Sequence, residues 1–326
     1  ENYYRDIINK TNGLLIPGGG QDLLTSGYAK AGRLLWQLST TVFKDRKYPI
    51  WGTCLGFELI TQFYANNTLS DCDAIDVSNS LTFVEPIQDS RLLQDNSIVE
   101  VLKEQEVTYN YHKKCLTLET FNKTPELHNN LRLLSTNKDK NGIDYVSMFE
   151  SRDANYPIYG VQWHPEKNLF EFAYNAKYQN IPHNSSAIKV SQYMSNFFVD
   201  ECRKSVHPIV NAKEESDSLI YNYQPVYTGA KTNYTYEQIY LFNSHKPNHW
   251  SVSIGPLQTS FFEQFVTIVK TSIEEVLKSC SKNQLNNLLN RIVEYYSHPN
   301  PNIQVLADLQ FLSHIVSNHL NERKNA

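Results

Sequence analysis

Apolar residues recur in two rhythms along the first 208 or so positions. Short apolar runs at residues 14–16, 50–54, 116–120, 131–135, 143–149 and 158–163 read as strands, while 28–38 and 55–64 read as helices. Residues 186–199 carry Val190, Tyr193, Met194, Phe197 and Phe198 on one helical face, which predicts an amphipathic helix closing the region. Strands alternating with helices predict a mostly parallel central sheet covered on both faces, an α/β three-layer sandwich.

From about residue 244 the rhythm becomes wholly helical. Phe262, Phe265, Val266, Val269, Ile273, Val276 and Leu277 keep a 3.6-residue period, and Leu285, Leu288, Leu289, Ile292 and Tyr296 repeat it. Ser297-His-Pro-Asn-Pro then interrupts the chain before a third apolar helix at 305–316. Two domains are therefore expected, an α/β domain over 1–243 and an all-helical C-terminal extension of unknown role over 244–326.

Three motifs stand at the ends of predicted strands. In Tyr48-Pro-Ile-Trp-Gly-Thr-Cys-Leu-Gly-Phe-Glu an apolar strand breaks at Gly-x-Cys-x-Gly, the pattern of a nucleophile elbow, in which a sharp strand-to-helix turn presents the central side chain. The thiol of Cys54 would then lie beside a helix N-terminus, whose partial positive charge favours thiolate. In Tyr156-Pro-Ile-Tyr-Gly-Val-Gln-Trp-His-Pro-Glu-Lys a second strand ends at His164-Pro165-Glu166. Proline keeps this segment extended, so His164 and Glu166 can share one side as a base and its orienter. The third motif, Asn12-Gly-Leu-Leu-Ile-Pro-Gly-Gly-Gly-Gln-Asp, turns after a strand and can offer a Gly18 or Gly19 amide that, with the Leu55 amide, would form an oxyanion hole. Read singly, Cys54 is equally a small buried hydrophobe, His164 a structural histidine and the glycines an ordinary loop; their combination and order favour the chemistry.

That order resembles the class I glutamine amidotransferase-like superfamily, whose members carry a Cys-His-Glu triad. Within it, Trp51-Gly-Thr-Cys-Leu-Gly-Phe-Glu, Tyr159-Gly-Val-Gln-Trp-His-Pro-Glu-Lys and the late stretch Leu219-Ile-Tyr-Asn-Tyr-Gln-Pro-Val-Tyr-Thr-Gly are most similar to the gamma-glutamyl hydrolase (folylpolyglutamate hydrolase) branch. The resemblance runs from about residue 3 to 243. It implies Cys54 as nucleophile, His164 as general base then acid, Glu166 as orienter, and folate and antifolate poly-γ-glutamates as substrates, with no metal or cofactor. It also implies a second histidine in a strand after the elbow helix, matched by His112 as a substrate-positioning candidate. Polyanionic substrates call for cations, and Lys113 and Lys167 stand nearest the motifs. The rivals are a glutaminase domain feeding ammonia to a synthase and a catalytically inactive paralogue acting as a binding module.

The family opens with a strand, a helix and a second strand before the Pro-Gly-Gly turn. A βαβ unit needs about 30 residues and only twelve precede Gly13, so that N-terminal unit is expected to be missing and the chain to be a fragment.

Composition narrows the rest. A chain of 326 residues with 40% hydrophobic and 20% charged positions is globular, and a formal charge of -4 without a basic cluster interleaved with aromatics argues against nucleic acid as partner. No run reaches the roughly 18 apolar residues of a membrane span, and no signal peptide is visible. Sequons at Asn9, Asn66, Asn122, Asn184 and Asn233 fit a glycoprotein of the lysosome or extracellular space. Besides the small-molecule substrate, a homodimer is the one other partner left open. The five cysteines lack Cys-x-x-Cys spacing, so neither a disulfide framework nor a zinc site is indicated. Cys72, Cys115, Cys202 and Cys280 are accordingly expected to be buried free thiols.

Overall fold

A computed structural model describes residues 2–242 except 45–46, 85, 173–176, 206–210 and 230–235. The chain divides into two compact units, Glu1–Asn243 and Ser244–Ala326; the second, with the expected helical extension and Cys280, lies outside the described residues, as does Asn233.

After helix α1 (Asn2–Lys10), the strands follow as β1 (Leu14–Ile16), β2 (Ile50–Thr53), β3 (Ser70–Asn79), β4 (Thr82–Phe83), β5 (Thr108–Cys115), β6 (Leu131–Lys138), β7 (Asp144–Ser151), β8 (Ile158–Val161), β9 (Pro225–Tyr227) and β10 (Gln238–Tyr240). Six form one sheet in the order β1-β2-β8-β7-β6-β4. Its parallel part is the β1-β2-β8 half, in register at Ile16↔Gly52 and Gly52↔Gly160, whereas β7, β6 and β4 join antiparallel. The sheet is thus mixed, and the parallel pairs are the ones that carry the motifs.

The remaining helices are α2 (Gly27–Gln37), α3 (Leu55–Tyr64), α4 (Asn96–Glu104), α5 (Leu118–Lys123), α6 (Pro125–His128), α7 (Lys167–Phe170), α8 (Ser185–Arg203) and α9 (Ala212–Ser218). On one face of the sheet, Trp51, Tyr159, Val161 and Trp163 pack with Leu102 of α4 and Val190 and Met194 of α8. On the other, Ile16, Ile50, Val146 and Ile158 pack with Phe57, Leu59 and Ile60 of α3 and Phe121 of α5. Successive strand residues project to opposite faces, so Ile50 and Trp51 anchor different layers of the α/β sandwich. The amphipathic face read over 186–199 is the face α8 presents: Tyr193, Phe197 and Phe198 lie partly buried against the same cluster.

The expected strand at 116–120 is instead the start of α5. Thr117 acts as its N-cap, its side chain accepting from the Thr120 amide, and this capping outweighs the β-propensity of the short run. Outside the main sheet, β3 and β5 form a two-stranded antiparallel ribbon. The Tyr109 carbonyl of that ribbon accepts the His164 amide at 2.8 Å, tying it to the end of β8.

The ribbon also corrects the reading of the cysteines. Cys72 on β3 and Cys115 on β5 form a disulfide, while Cys54 and Cys202 are free. Strand pairing brings Ser70 opposite Cys115 and Asp71 opposite Lys114, so two cysteines 43 residues apart meet without any local spacing signal. Among the described residues, no helix is long and apolar enough to cross a membrane.

Closing a loop of that length stabilises a fold by about 4 kcal/mol on the chain-entropy account. The Cys72→Ser/Cys115→Ser double variant is expected to lose stability of this order in urea denaturation, and a non-reducing peptide map should recover the two cysteines in one linked peptide. An unchanged denaturation midpoint would count against the crosslink.

Candidate active site

The site is assembled at the C-terminal ends of the adjacent parallel strands β2 and β8. Cys54 follows β2 directly and sits at φ 50°, ψ -105°, a conformation that costs a non-glycine residue strain and therefore needs its surroundings to enforce it. Two glycines make it feasible. A Cβ on Gly56 would lie 2.0 Å from the Ile16 carbonyl oxygen, and one on Gly52 would lie 2.7 Å from the Gly56 backbone. Hydrogen bonds hold the turn on both sides, with the Cys54 amide donating to Val161 O and the Cys54 carbonyl accepting from the Glu58 amide, each at 2.9 Å.

His164 lies just past β8, buried at 7% exposure. Its Nδ1 meets Glu166 Oε1 at 2.6 Å, leaving Nε2 for the sulfur. Burial alone would lower the imidazole pKa; the Cys54 sulfur, which reaches it as a charge and as a hydrogen-bond partner, and the Glu166 carboxylate outweigh burial and raise it to about 10. Burial pushes the Glu166 carboxyl up, but the imidazole overrides this and holds it below the usual range. Since half of the Glu166 side chain remains exposed (55%), solvent screens part of that pairing. The raised basicity favours the imidazolium, the form that stabilises an adjacent thiolate.

Gly18 closes the site from the side of β1: a Cβ there would sit 2.9 Å from His164 Cε1 and 3.5 Å from Cys54 Cβ. Gly19 faces the Leu55 side chain, and Leu55 opens α3, where first-turn amides have no intrahelical acceptor. Gly18 thus adjoins both the sulfur-bearing side chain and the imidazole, and Gly19 adjoins Leu55. A mainly apolar cavity of about 510 Å³ adjoins them, lined by Gly18, Trp51, Glu166, Met194 and Phe198 among others.

The remaining expected residues separate. His112 is buried, and its Nδ1 faces the Lys114 carbonyl at 2.9 Å while Nε2 faces Asn110 Oδ1 at 3.3 Å. Burial lowers its pKa to about 3, with the nearby His164 charge acting in the same direction. Its ring also lies 3.7 and 3.6 Å from the Cys72 and Cys115 sulfurs; both sulfurs are spent in the disulfide, so neither is a thiolate ligand for a metal. As placed, His112 braces the β3–β5 ribbon. Lys113 is exposed on the opposite face of β5 from His112. Lys167 is buried beside Glu166, its ammonium 5.8 Å from the Tyr178 ring centroid and 5.1 Å from that of Tyr236. Asn9, Asn66, Asn122 and Asn184 are exposed, although Thr68 of the Asn66 sequon is buried and Asn184 also caps α8.

Sequence reasoning missed Glu58, Gln162, Tyr178 and Tyr236. Glu58 is one turn beyond Cys54 in a helix that is otherwise mostly apolar and buried, and that single acidic residue was the available signal. Gln162 Nε2 donates to Glu58 Oε1 at 3.1 Å, while Gln162 Oε1 is buried without a described partner. Burial raises the Glu58 pKa to about 7 against the opposing pull of Gln162, His164 and Lys114.

Residues 2–176 match the family model of class-I glutamine amidotransferases. Among curated proteins, the chain is similar to the gamma-glutamyl hydrolase of Bos taurus, 37% identical over 244 residues, covering 74% of each chain. It is likewise similar to that of Homo sapiens, 36% identical over 247 residues and covering 74% of this chain and 75% of the other. Gamma-glutamyl hydrolase B of Dictyostelium discoideum is 38% identical over 248 residues, covering 74% and 70%.

Because Glu58 titrates at about 7 in the fold rather than at its ordinary 4.5, its contribution is fully present below pH 4.5 and is lost as pH rises through 7. Relative to Glu58→Gln, which cannot ionise, the parent protein should lose up to ~3 kcal/mol across that interval. Denaturation of both proteins at a series of pH values measures the difference; parallel curves would contradict the assignment.

Proposed function

Given that this chain belongs to the gamma-glutamyl hydrolase family of class-I glutamine amidotransferases, we propose that it cleaves the γ-glutamyl amide bonds of folate and antifolate poly-γ-glutamates through a Cys54 thioester. The observation that carries this reading is the placement of Cys54 and the His164–Glu166 pair on adjacent strand ends, with the 2.6 Å bond orienting the imidazole toward the sulfur.

In the proposed reaction the Cys54 thiolate attacks the γ-carbonyl carbon. The carbonyl oxygen becomes an oxyanion between the Leu55 amide and a Gly18 or Gly19 amide; loss of one such donor costs about 100- to 1000-fold in rate. His164, protonated at rest, gives its Nε2 proton to the departing nitrogen as the C–N bond breaks, releasing the amine product and leaving a γ-glutamyl thioester. The neutral imidazole then takes a proton from water, whose oxygen attacks the thioester; the C–S bond breaks and the thiolate–imidazolium pair returns. Glu166 fixes the imidazole throughout and stabilises its charged form.

A lysosomal or extracellular location belongs to the same proposal. The Cys72–Cys115 disulfide suits an oxidising compartment, and the exposed Asn9, Asn66, Asn122 and Asn184 sequons suit the secretory route.

Incubation with pteroyl pentaglutamate, followed by chromatography of the products, should show chain shortening. Cys54→Ala should abolish it with an unchanged circular dichroism spectrum, and His164→Asn should reduce kcat about 100- to 10,000-fold. Turnover retained by Cys54→Ala would overturn the mechanism, whereas hydrolysis of free glutamine alone would favour a glutaminase.

A further inference from the structure

Lysine usually lays its stem along apolar surface and keeps its ammonium in water, and it is almost never fully buried unless paired. Lys167 departs from both habits. It is 5% exposed, and among the described residues its ammonium forms no close ion pair; it lies over the faces of Tyr178 and Tyr236 and its charge reaches Glu166. Ring faces attract a cation but satisfy poorly the three N–H donors an ammonium carries. The acidic residues around it are committed elsewhere: Glu166 Oε1 to His164 Nδ1, and Glu171 Oε2 to the Glu237 amide.

The cage is built rather than incidental. Tyr178 is 8% exposed and stacks on Tyr111 of the ribbon at a centroid distance of 4.7 Å. Tyr236, 46% exposed, leads into β10, and the adjoining Glu237 amide–Glu171 bond pins that hairpin beside the site at 2.9 Å. The Tyr236 phenol feels the charges of both Cys54 and Glu166, so the caged ammonium lies next to the candidate triad, half covered by a wall that solvent reaches.

We propose that Lys167 binds the free α-carboxylate of the γ-linked glutamate at the scissile bond, acting as the residue that makes the site select for γ-linkage. The inference rests on the hydrolase reading above. A γ-linked chain keeps an α-carboxylate on every residue, whereas an α-linked chain spends that group in its backbone. The apolar cavity beside Gly18 is lined by no lysine or arginine, whereas the charge of Lys167 acts on Glu166 of the triad. A carboxylate completes the donors that Tyr178 and Tyr236 leave open.

The test compares pteroyl-γ-diglutamate with the analogue whose acyl-side glutamate carries an α-carboxamide, using the parent protein, Lys167→Met and Lys167→Arg. The parent should prefer the acid. Lys167→Met should lose roughly 30- to 1000-fold in kcat/KM on the acid, as expected for truncating one partner of a buried charge pair, with most of the change in KM and little on the carboxamide; Lys167→Arg should recover part of the preference. Equal losses on both substrates would make Lys167 a structural brace and overturn the proposal. A parent protein that cleaves both substrates equally well would overturn it too, whether or not the variants fold, and leave the hydrolase reading intact. Cleavage of neither substrate by the parent would bring down both.

Discussion

Everything at the site depends on the close approach of α3 to the parallel strands at Gly56. The Ile16 carbonyl lies where any side chain on that residue would have to go, so the helix can start only at that height above β1 and β2. That close approach goes with the positive φ of Cys54 and sets the start of α3 against the end of β1. Strain at one residue is held by ordinary packing of many: Phe57, Leu59 and Ile60 are wholly buried in the layer below. The strained turn survives because the core cannot relax without losing contacts worth far more.

Electrostatics then act on a geometry already fixed. His164 and Glu58 are both buried titratable groups a short distance from the sulfur, and their pKa values are driven upward for different reasons. The imidazole rises because two negative neighbours outweigh desolvation, whereas the carboxyl rises because desolvation outweighs its partners. One group is thereby biased toward its charged form and the other poised to change its charge near pH 7 within the same small volume. His112 completes the contrast: burial outweighs the pull of the Lys114 carbonyl and Asp139, so it stays neutral, and it supports the ribbon on which the His164 amide is hung.

How much of this was legible depended on whether the signal was local. The strand at 14–16, the elbow and the helix over 55–64 follow from apolar period and glycine placement within a dozen residues, and these match the described elements. The start of α5 was misread because Thr117 looks like a β-branched strand residue until its side chain is seen capping Thr120. The β3 strand, Ser70–Asn79, is rich in aspartate and carries almost no strand signal. Cys72 and Cys115 could not be paired from spacing, because only the ribbon register brings them together. Lys167 attracted notice merely by standing next to Glu166; its burial between two tyrosines from distant segments has no trace in the linear order.

The Cys72–Cys115 bond bears on how the chain withstands cutting. It encloses residues 73–114, a stretch that includes exposed Gln88 and Asp89 as well as the strand that supports His164. A peptidase that nicks this stretch opens the backbone without separating the two pieces, since the crosslink and the ribbon pairing hold them in register. Covalent integrity and polypeptide continuity are thus uncoupled over this part of the molecule, and a protein so built can be scarred in a degradative medium yet remain a single body.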